Sequence, residues 1–461
     1  MKAIRLQRFK AFEDSGWIEF KPITLLFGYN SAGKSSILQA LFMLKQSIKN
    51  MADEVPFVFS SEKGIDLGAF EDVVHKHEID HKQPMVISLR VDIARKALQV
   101  LYNGNSMFMR EEPQNYLKTD IDSDSEEKST IEFSIEISYN QKRRFIAVKG
   151  FTLTDMMSGK TILAMKKKGV SENEKPEYFS DYLNCKNKKV PISWYNFIPI
   201  VKPEGEFERI TAVTEQLRKT IDTRLDGMIS VGPLRVLPER TMLFTGERPA
   251  SVGMKGEDTF KLLFNDKHSA APLHLEELLN EYLSKYHYRY DWNLLKTNLG
   301  QFVLKDTITG IPANIVDVGF GISQILPIAV QLYATGKNQI LLLEQPEIHL
   351  HSKAQADIAD LLIDALKLQR KTIIVETHSE NLLLRLRRRV VEGLITPEDI
   401  GLYYVDQVNS VSKAYLMNVN VFGDIENMPD AFKEFFIDNY NEIMGLHKAK
   451  GEKLSEDITQ G

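Results

Sequence analysis

Apolar and polar positions along the chain predict an α/β fold. Three short apolar runs, residues 23–27, 340–343 and 372–375, have the length and composition of buried parallel strands, and polar residues follow each of them. Helical spacing of apolar residues follows the first run, and a second helix is predicted at residues 352–368, between the other two runs. Because parallel strands joined by helices end at the same edge of a sheet, the polar residues are expected together at that edge.

Alternation of apolar and polar residues predicts an additional, antiparallel sheet that is solvated on one face. The strands predicted for this sheet are residues 85–91, 131–137 and 144–148, with a hairpin turn about Ser158 and Gly159, and residues 3–9 and 17–20 are predicted separately as two strands around a turn. Residues 166–225 are polar and charged and are predicted to be helical in parts. We therefore expect a mixed or parallel sheet, an antiparallel β subdomain and a helical insertion.

Composition places the chain among ordinary globular proteins. The 461 residues carry a formal charge of −5, which gives no overall attraction to nucleic acid, so DNA binding would need a local basic patch. The single cysteine, Cys185, excludes an internal disulfide and fits a reducing cytoplasm. No apolar run has the length of a membrane span, and the N-terminus leads into strand-like sequence, so we expect a cytoplasmic protein without a membrane partner.

Residues 28–35 match the phosphate-binding pattern G-x-x-x-x-G-K-[ST] and lie between a predicted strand and a predicted helix. Gly28 and Gly33 let the backbone wrap around an anion, so that the N–H groups of the loop point at phosphate. Lys34 supplies a mobile charge for the β- and γ-phosphates, and the Ser35 hydroxyl is placed to bind Mg²⁺. The predicted nucleotide-binding residues of this loop are Gly28, Asn30, Ser31, Gly33, Lys34, Ser35 and Ser36.

Two further strand ends carry candidate catalytic groups. Glu344 ends the second apolar run, where a buried strand would deliver a carboxylate to the magnesium beside the phosphate loop. The sequence Thr-His-Ser at residues 377–379 ends the third run, and His378 is placed there to reach a γ-phosphate. The sequence therefore predicts a nucleoside triphosphate site with Mg²⁺, in which Ser35 and Glu344 are the metal ligands.

Six segments of the chain carry a resemblance to a known family. They are residues 28–36, 232–235, 318–327, 344–351, 376–380 and 401–405. Together they resemble the ABC-type ATPase heads of SMC, RecF and OLD-like proteins, and within that group the stand-alone ATPases that carry the DUF3696 C-terminal region and no Toprim domain. The resemblance implies an ATP-binding protein with Mg²⁺, and it covers both ends of the chain but not its middle.

The resemblance also implies a head-to-tail homodimer, or a higher even oligomer, in which a second copy closes over the ATP bound at Lys34. The closing segment would be residues 318–324, ahead of a helix at residues 325–334. Glycine N–H groups and a serine hydroxyl there would contact the γ-phosphate, and the residues implied are Gly319, Gly321 and Ser323. Because this segment departs from the usual Leu-Ser-Gly-Gly-Gln, the main contact is left open between Gly321 and Ser323.

Gln345 stands where ABC heads usually have the glutamate that orients the attacking water. Since an amide positions water but is a very weak base, either hydrolysis is slow, or Glu347 or His378 contributes more than usual, or the residue was altered to trap ATP. The catalytic residues implied are Glu344, Gln345, Glu347 and His378. Glu-Gln-Pro-Glu resembles the native pattern of the subfamily, so we expect slow, gated hydrolysis.

Two functions are compatible with such a head. The first is an ATP-dependent switch that dimerises and controls a partner effector, such as a separate nuclease in prokaryotic anti-phage defence, while the chain itself has no nuclease activity. The second is a DNA-repair ATPase of the RecF or SMC type that binds duplex DNA. The predicted domains are the two halves of the ATPase head at residues 1–80 and 229–425, a β-rich and helical insertion at residues 81–228, and a helical tail at residues 426–461.

Two other patterns have competing interpretations. Aromatic residues concentrated at 286–292 are able to stack on bases, but core packing is the commoner outcome and the one we predict. Residues 384–390 form a basic helix that could meet DNA or a partner. For that helix we predict a solvated face packed against acids such as Glu392.

Overall fold

A computed structural model of the protein describes residues 1–49, 56–61, 64–79, 82–102, 127–140, 145–168, 175–186 and 188–434. The α-helices are α1 (Lys34–Lys49), α2 (Phe70–Val73), α3 (Arg95–Tyr102), α4 (Glu208–Asp226), α5 (Thr259–Lys267), α6 (Leu275–Ser284), α7 (Phe320–Ala334), α8 (Ser352–Leu368) and α9 (Glu380–Val391). Short 3-10 helices lie at His75–His77, Gly205–Phe207, Ile315–Asp317 and Pro397–Asp399.

The strands form two large sheets and two small ones. They are β1 (Ala3–Phe9), β2 (Phe12–Asp14), β3 (Ile18–Glu19), β4 (Ile23–Phe27), β5 (Met85–Ala94), β6 (Lys128–Asn140), β7 (Phe145–Asp155), β8 (Thr161–Lys166), β9 (Glu177–Phe179), β10 (Ile192–Tyr195), β11 (Ile198–Val201), β12 (Ile229–Val231), β13 (Met242–Leu243), β14 (Tyr288–Lys296), β15 (Leu299–Asp306), β16 (Pro312–Asn314), β17 (Ile340–Glu344), β18 (Thr372–Thr377), β19 (Ile400–Val408), β20 (Val411–Val419) and β21 (Ile425–Glu426).

The central sheet contains the three apolar runs of the sequence as parallel neighbours. Its strand order is β12-β17-β18-β4-β19-β20-β21, parallel from β12 to β19 and antiparallel thereafter. The strand β18 therefore lies between β4, which leads into the phosphate loop, and β17, which ends in Glu344. The predicted α/β fold with a mixed sheet is confirmed.

Both faces of the central sheet are covered at β4, β17 and β18, and this explains why these three strands are almost entirely apolar. Ile340, Leu342 and Ile374 share one hydrophobic core with helices α1 and α4, whereas Leu341 and Leu343 face a second core with α7, α8 and α9. A strand buried on both sides has no position at which a polar residue would meet water. The charged residues are consequently confined to the strand ends.

The antiparallel sheet has the order β2-β1-β5-β6-β7-β8-β9, and the short strand β3 also pairs with β1, on the side opposite β5. The predicted hairpin joins β7 to β8, and its turn is closed by a hydrogen bond from the N–H of Gly159 to the carbonyl of Asp155. The pairing of β1 with β5 joins strands from the predicted N-terminal half and the predicted insertion in one sheet. The division into domains stays a prediction, and residues 435–461 of the predicted helical tail lie outside the described residues.

The two sequence patterns with competing interpretations are packed as predicted. Tyr290 is 4 % exposed and stacks on Phe302 with ring centroids 5.5 Å apart, in a small sheet built from β13 to β16. On the basic helix α9, Arg389 forms ion pairs with Asp360 and Glu392. The Tyr290 ring and the Arg389 guanidinium are therefore both engaged in contacts within the chain.

Among the described residues, no helix combines the length and the apolar character that crossing a bilayer requires.

Candidate nucleotide-binding site

The phosphate loop, residues 28–33, connects the end of β4 to the start of α1 and depends on its two glycines. Gly28 has a φ of +144°, and a Cβ atom there would lie 2.2 Å from the carbonyl oxygen of Val405 on β19. Gly33 has a φ of +108°, and a Cβ atom there would lie 2.9 Å from the Cβ of Ala11. Glycine is therefore required both for the backbone conformation and for the close approach of neighbouring chain segments.

The remaining loop residues of the predicted set lie at different depths. Asn30 and Ser31 are exposed at the tip, where Ser31 has a left-handed φ of +63°, while Ser36 is buried in the first turn of α1. Lys34 is 2 % exposed and donates to the carbonyl oxygens of Gly28 and Tyr29 at 3.0 and 2.6 Å. Burial lowers the pKa of Lys34, and nearby carboxylates oppose this shift. The ammonium group is therefore held over the loop, where an incoming phosphate would compete with two carbonyl oxygens for it.

Ser35 donates a hydrogen bond of 2.8 Å to Oε1 of Glu376. The strand order explains this partner, because β18 lies next to β4 whereas β17 is one strand further away. Glu344 at the end of β17 is in register with Glu376, so the two carboxylates are neighbours at the edge of the sheet. The structure thus places Glu376 between Ser35 and Glu344, the two residues predicted to bind the metal.

Glu376 was not predicted as a site residue, although the sequence contains the signal. It ends the third apolar run in the same way that Glu344 ends the second. What the sequence lacks is the strand order, which decides which of the two glutamates meets Ser35.

Burial dominates the electrostatics of this carboxylate pair. Desolvation, with the nearby Glu376 carboxylate as a further cause, raises the pKa of Glu344 to about 7. Desolvation also raises the pKa of Glu376, while the hydrogen bond from Ser35 and the charge of Lys34 act in the opposite direction. If Glu344 and Glu376 are both ionised, the pair needs a positive charge nearby. A divalent cation supplies this charge, and carboxylate oxygens are ligands that such cations prefer.

Glu347 and His378 are joined to each other across the two strand ends. The backbone N–H of His378 donates to Oε1 of Glu347 at 2.6 Å, and the Glu347 side chain is 7 % exposed. Burial raises the pKa of Glu347, and burial together with the charge of Lys34 lowers the pKa of His378, which favours the neutral imidazole. One oxygen of Glu347 is therefore occupied in fixing the strand end that carries His378.

Gln345 has a strained backbone that is fixed from two sides. Its φ of +42° lies in the left-handed region, its N–H donates to the carbonyl oxygen of Glu376 at 2.8 Å, and its own carbonyl oxygen accepts from Arg235 at 3.1 Å. Within the described part of the chain, its side-chain amide has no hydrogen-bond partner. The amide is therefore the group of this turn that remains available to a ligand or to water.

Arg235 is a second residue whose role the sequence did not predict, although the segment 232–235 belongs to the family resemblance. Its guanidinium is 7 % exposed and donates to the carbonyl oxygens of Glu344 at 3.4 Å, Gln345 at 3.1 Å and Gln324 at 3.5 Å. Burial lowers its pKa to about 10, and the carboxylate of Glu347 acts in the opposite direction. This one side chain links helix α7 to the turn after β17.

The predicted closing segment lies at the start of α7. The helix begins at Phe320, five residues earlier than the predicted start at residue 325, because Gly319 already serves as its N-cap residue. Gly319 is exposed and Gly321 half-buried, while Ser323 is 7 % exposed and lies within its own subunit. The N-terminal edge of the segment is thus accessible to a second copy, and the contact predicted for Ser323 stays a prediction.

Buried polar atoms without a hydrogen-bond partner in the described residues are concentrated around this site. Six of the eleven such atoms lie here, namely Nε of Arg235, Nε2 of Gln324, Oε2 of Glu347, Oε2 of Glu376, Nε2 of His378 and Oγ of Ser412. Each such group costs about 1 to 3 kcal/mol unless a ligand or water satisfies it. Carboxylate oxygens suit Mg²⁺, and N–H groups suit phosphate, so these residues fit a magnesium nucleotide.

The role of Arg235 is tested by Arg235→Ala. We expect the free energy of unfolding to fall by about 1 to 3 kcal/mol, because buried carbonyl oxygens lose their donor. Urea denaturation followed by circular dichroism measures this change. Arg240→Ala is the matched control, because the Arg240 side chain is exposed and forms a surface ion pair with Asp317, so its removal should leave the midpoint unchanged. Equal midpoints for both variants would contradict the bridging role.

Three solved SMC head structures and one family model are similar to the chain. The chain aligns with the SMC head domain from Thermotoga maritima at a TM-score of 0.37 and 10% identity, over 90% of this chain and 98% of that chain. An SmcHead bound to the C-winged helix domain of ScpA aligns at a TM-score of 0.39 and 12% identity, over 91% of this chain and 97% of that chain. An Smc head domain with an extended coiled coil, bound to the C-terminal domain of ScpA derived from Pyrococcus furiosus, aligns at a TM-score of 0.37 and 9% identity, over 90% of this chain and 96% of that chain. No curated protein matches the chain. The AAA ATPase domain family matches residues 1–383, and the chain therefore belongs to that family.

Proposed function

We propose that this ATPase binds magnesium ATP at the carboxyl edge of its central sheet and hydrolyses it slowly, as a switch. One observation carries the proposal. The ends of β4, β18 and β17 bring Lys34, Ser35, Glu376 and Glu344 to one place, and the next residue after Glu344 is Gln345 and not an acid. The site has the groups for binding a triphosphate, and it lacks a strong base at the usual position.

The residues that would hold the nucleotide have separate roles. The loop N–H groups and the first turn of α1 would accept phosphate oxygens, and Lys34 would leave the carbonyl oxygens of Gly28 and Tyr29 to bind the β- and γ-phosphates. Ser35 and Glu344 would hold Mg²⁺, which when bound neutralises charge on the phosphates.

Slow hydrolysis follows from the groups that surround the γ-phosphate position. The Gln345 amide positions a water molecule but removes its proton poorly. Glu347 is a stronger base, but one of its oxygens holds the backbone of His378, and its burial disfavours the ionised form. His378, kept neutral, is able to donate or accept a hydrogen bond. The site is therefore better suited to retaining ATP than to rapid turnover.

A homodimer is the assembly that this site supports best. The N-terminus of α7 is a helix end of the kind that binds phosphate. Within one subunit, Arg235 connects α7 through Gln324 to the turn after β17, and α7 does not form part of the phosphate loop. Leu234 and Leu237, which are close in sequence to Arg235, are 71% and 62% exposed. Exposed leucines of this kind are suited to contact with a second copy.

The closed dimer would act on a partner effector, for which an anti-phage nuclease is the example given by the family resemblance. The alternative, direct binding of duplex DNA, finds less support in the arginine-rich helix α9. Arg385 pairs with Asp357 and Asp360, and Arg389 pairs with Asp360 and Glu392. Because these charges are neutralised within the chain, the helix offers a weaker attraction to DNA phosphates than its sequence indicates.

Replacement of the loop lysine tests nucleotide binding. Lys34→Ala is expected to weaken ATP binding about 10- to 150-fold, the equivalent of about 1.5 to 3 kcal/mol, because a charge-assisted contact to phosphate is lost. Isothermal titration calorimetry with ATP and Mg²⁺ measures the affinity. Lys49→Ala is the control, since Lys49 lies at the other end of the same helix and pairs with Asp226 on the surface. If Lys34→Ala binds ATP like the wild type, the site is not a phosphate loop.

The water-activating position is tested by Gln345→Glu. This variant is expected to raise the rate of phosphate release at saturating ATP at least tenfold, because a carboxylate accepts the proton that an amide cannot. The double variant Lys34→Ala/Gln345→Glu should lose the increase, which would locate it at this nucleotide site. A wild-type turnover of about 1 to 100 per second, as in kinases, would rule out the slow switch.

A further inference from the structure

We propose that Glu376 is a carboxylate ligand of the divalent cation, so that the metal site consists of Ser35, Glu344 and Glu376. The inference rests on the proposed function, in that magnesium ATP must bind at this loop. It starts from the hydrogen bond between the Ser35 hydroxyl and Oε1 of Glu376, which is 2.8 Å long. The hydroxyl that binds Mg²⁺ in a phosphate loop is thus already in contact with this carboxylate.

The strand spacing places Glu376 between the other two ligands. Neighbouring strands lie about 4.8 Å apart, and β18 separates β4 from β17. The residue pairs Leu26 with Glu376 and Glu376 with Glu344 are in register across these three strands. The side chains of Ser35 and Glu344 would have to converge above the end of β18 to hold one cation, and Glu376 lies at that strand end.

The two carboxylates project from the same face of the sheet. Leu342 and Ile374, two residues before Glu344 and Glu376, belong to one hydrophobic core, and alternate residues of a strand share a face. Both glutamates therefore point to the side on which α1 and the phosphate loop lie. A carboxylate pair on one face, with a serine hydroxyl beside it, is an oxygen ligand set of the type that Mg²⁺ and Mn²⁺ take.

The second oxygen of Glu376 remains available for a metal. Glu376 is 4% exposed, and its Oε2 has no hydrogen-bond partner among the residues that the structure describes. The ammonium group of Lys34, the nearby positive charge, is bonded to two loop carbonyl oxygens. A buried carboxylate oxygen without a partner is costly, and coordination of a cation removes that cost.

The competing role for Glu376 is a purely structural one, in which it only fixes the Ser35 hydroxyl. An amide oxygen also accepts a hydrogen bond from the Ser35 hydroxyl, so Glu376→Gln preserves the structural role. A metal ligand, in contrast, loses its charge in the same variant. The two roles therefore predict different metal affinities for one isosteric substitution.

The experiment measures Mn²⁺ binding by electron paramagnetic resonance in the presence of ATP. Glu376→Gln is expected to lower Mn²⁺ affinity at least tenfold, as Glu344→Gln should, whereas the surface variant Glu398→Gln keeps the wild-type value. ATP affinity is measured in parallel without metal, in EDTA. There Glu376→Gln should bind ATP as well as the wild type or better, because a negative charge near the phosphates has been removed.

The Mn²⁺ affinities of the Glu376 variants distinguish a metal ligand from a purely structural residue. Wild-type Mn²⁺ affinity in Glu376→Gln overturns the proposal and leaves the nucleotide site intact. Glu376→Asp, which keeps the charge on a shorter side chain, should retain more Mn²⁺ affinity than Glu376→Gln, and equal losses in both variants would indicate a disturbed structure instead of a lost ligand. If the wild-type chain binds no ATP in either buffer, the proposed function fails, and the metal inference fails with it.

Discussion

The position of β18 between β4 and β17 is the constraint on which the site depends. Parallel strands have their carboxyl ends at one edge, and this order brings three different strand ends beside the phosphate loop. With β17 directly beside β4, Ser35 would meet Glu344, and Glu376 would lie outside the site. The observed order instead gives a row of polar groups, from Ser35 through Glu376 to Glu344, at the carboxyl ends of three strands that are otherwise almost entirely apolar.

The apolar character of the sheet also explains the electrostatics of the site. Because both faces are covered by helices, the carboxylates at the strand ends have little contact with water, and their pKa values are raised. The same desolvation lowers the pKa of Lys34, because burial disfavours the charged ammonium group. Such a site favours a ligand that brings both a cation and an anion, and a magnesium nucleotide has this combination of charges. The burial that stabilises the fold therefore also selects the ligand.

The sequence predicted local features well, because local patterns determine them. The apolar runs specified β4, β17 and β18, and the glycine, lysine and serine spacing specified the loop between β4 and α1. The sequence did not predict contacts between distant segments. Arg235 lies 89 residues before Gln324 and 110 before Gln345, and Ser35 lies 341 residues before Glu376, so only the strand order reveals these pairs. The start of α7 was predicted too late because Gly319 and Gly321 indicate a loop when they are considered alone.

A structure of the protein with a non-hydrolysable ATP analogue and Mn²⁺ tests the central claim most directly. The account predicts the triphosphate on the N–H groups of residues 28–35, with Lys34 Nζ moved from the carbonyl oxygens of Gly28 and Tyr29 to the phosphates. It also predicts the anomalous signal of Mn²⁺ beside Ser35 at the carboxyl end of β18. Nucleotide bound elsewhere, with Lys34 still bonded to both carbonyl oxygens, would contradict it.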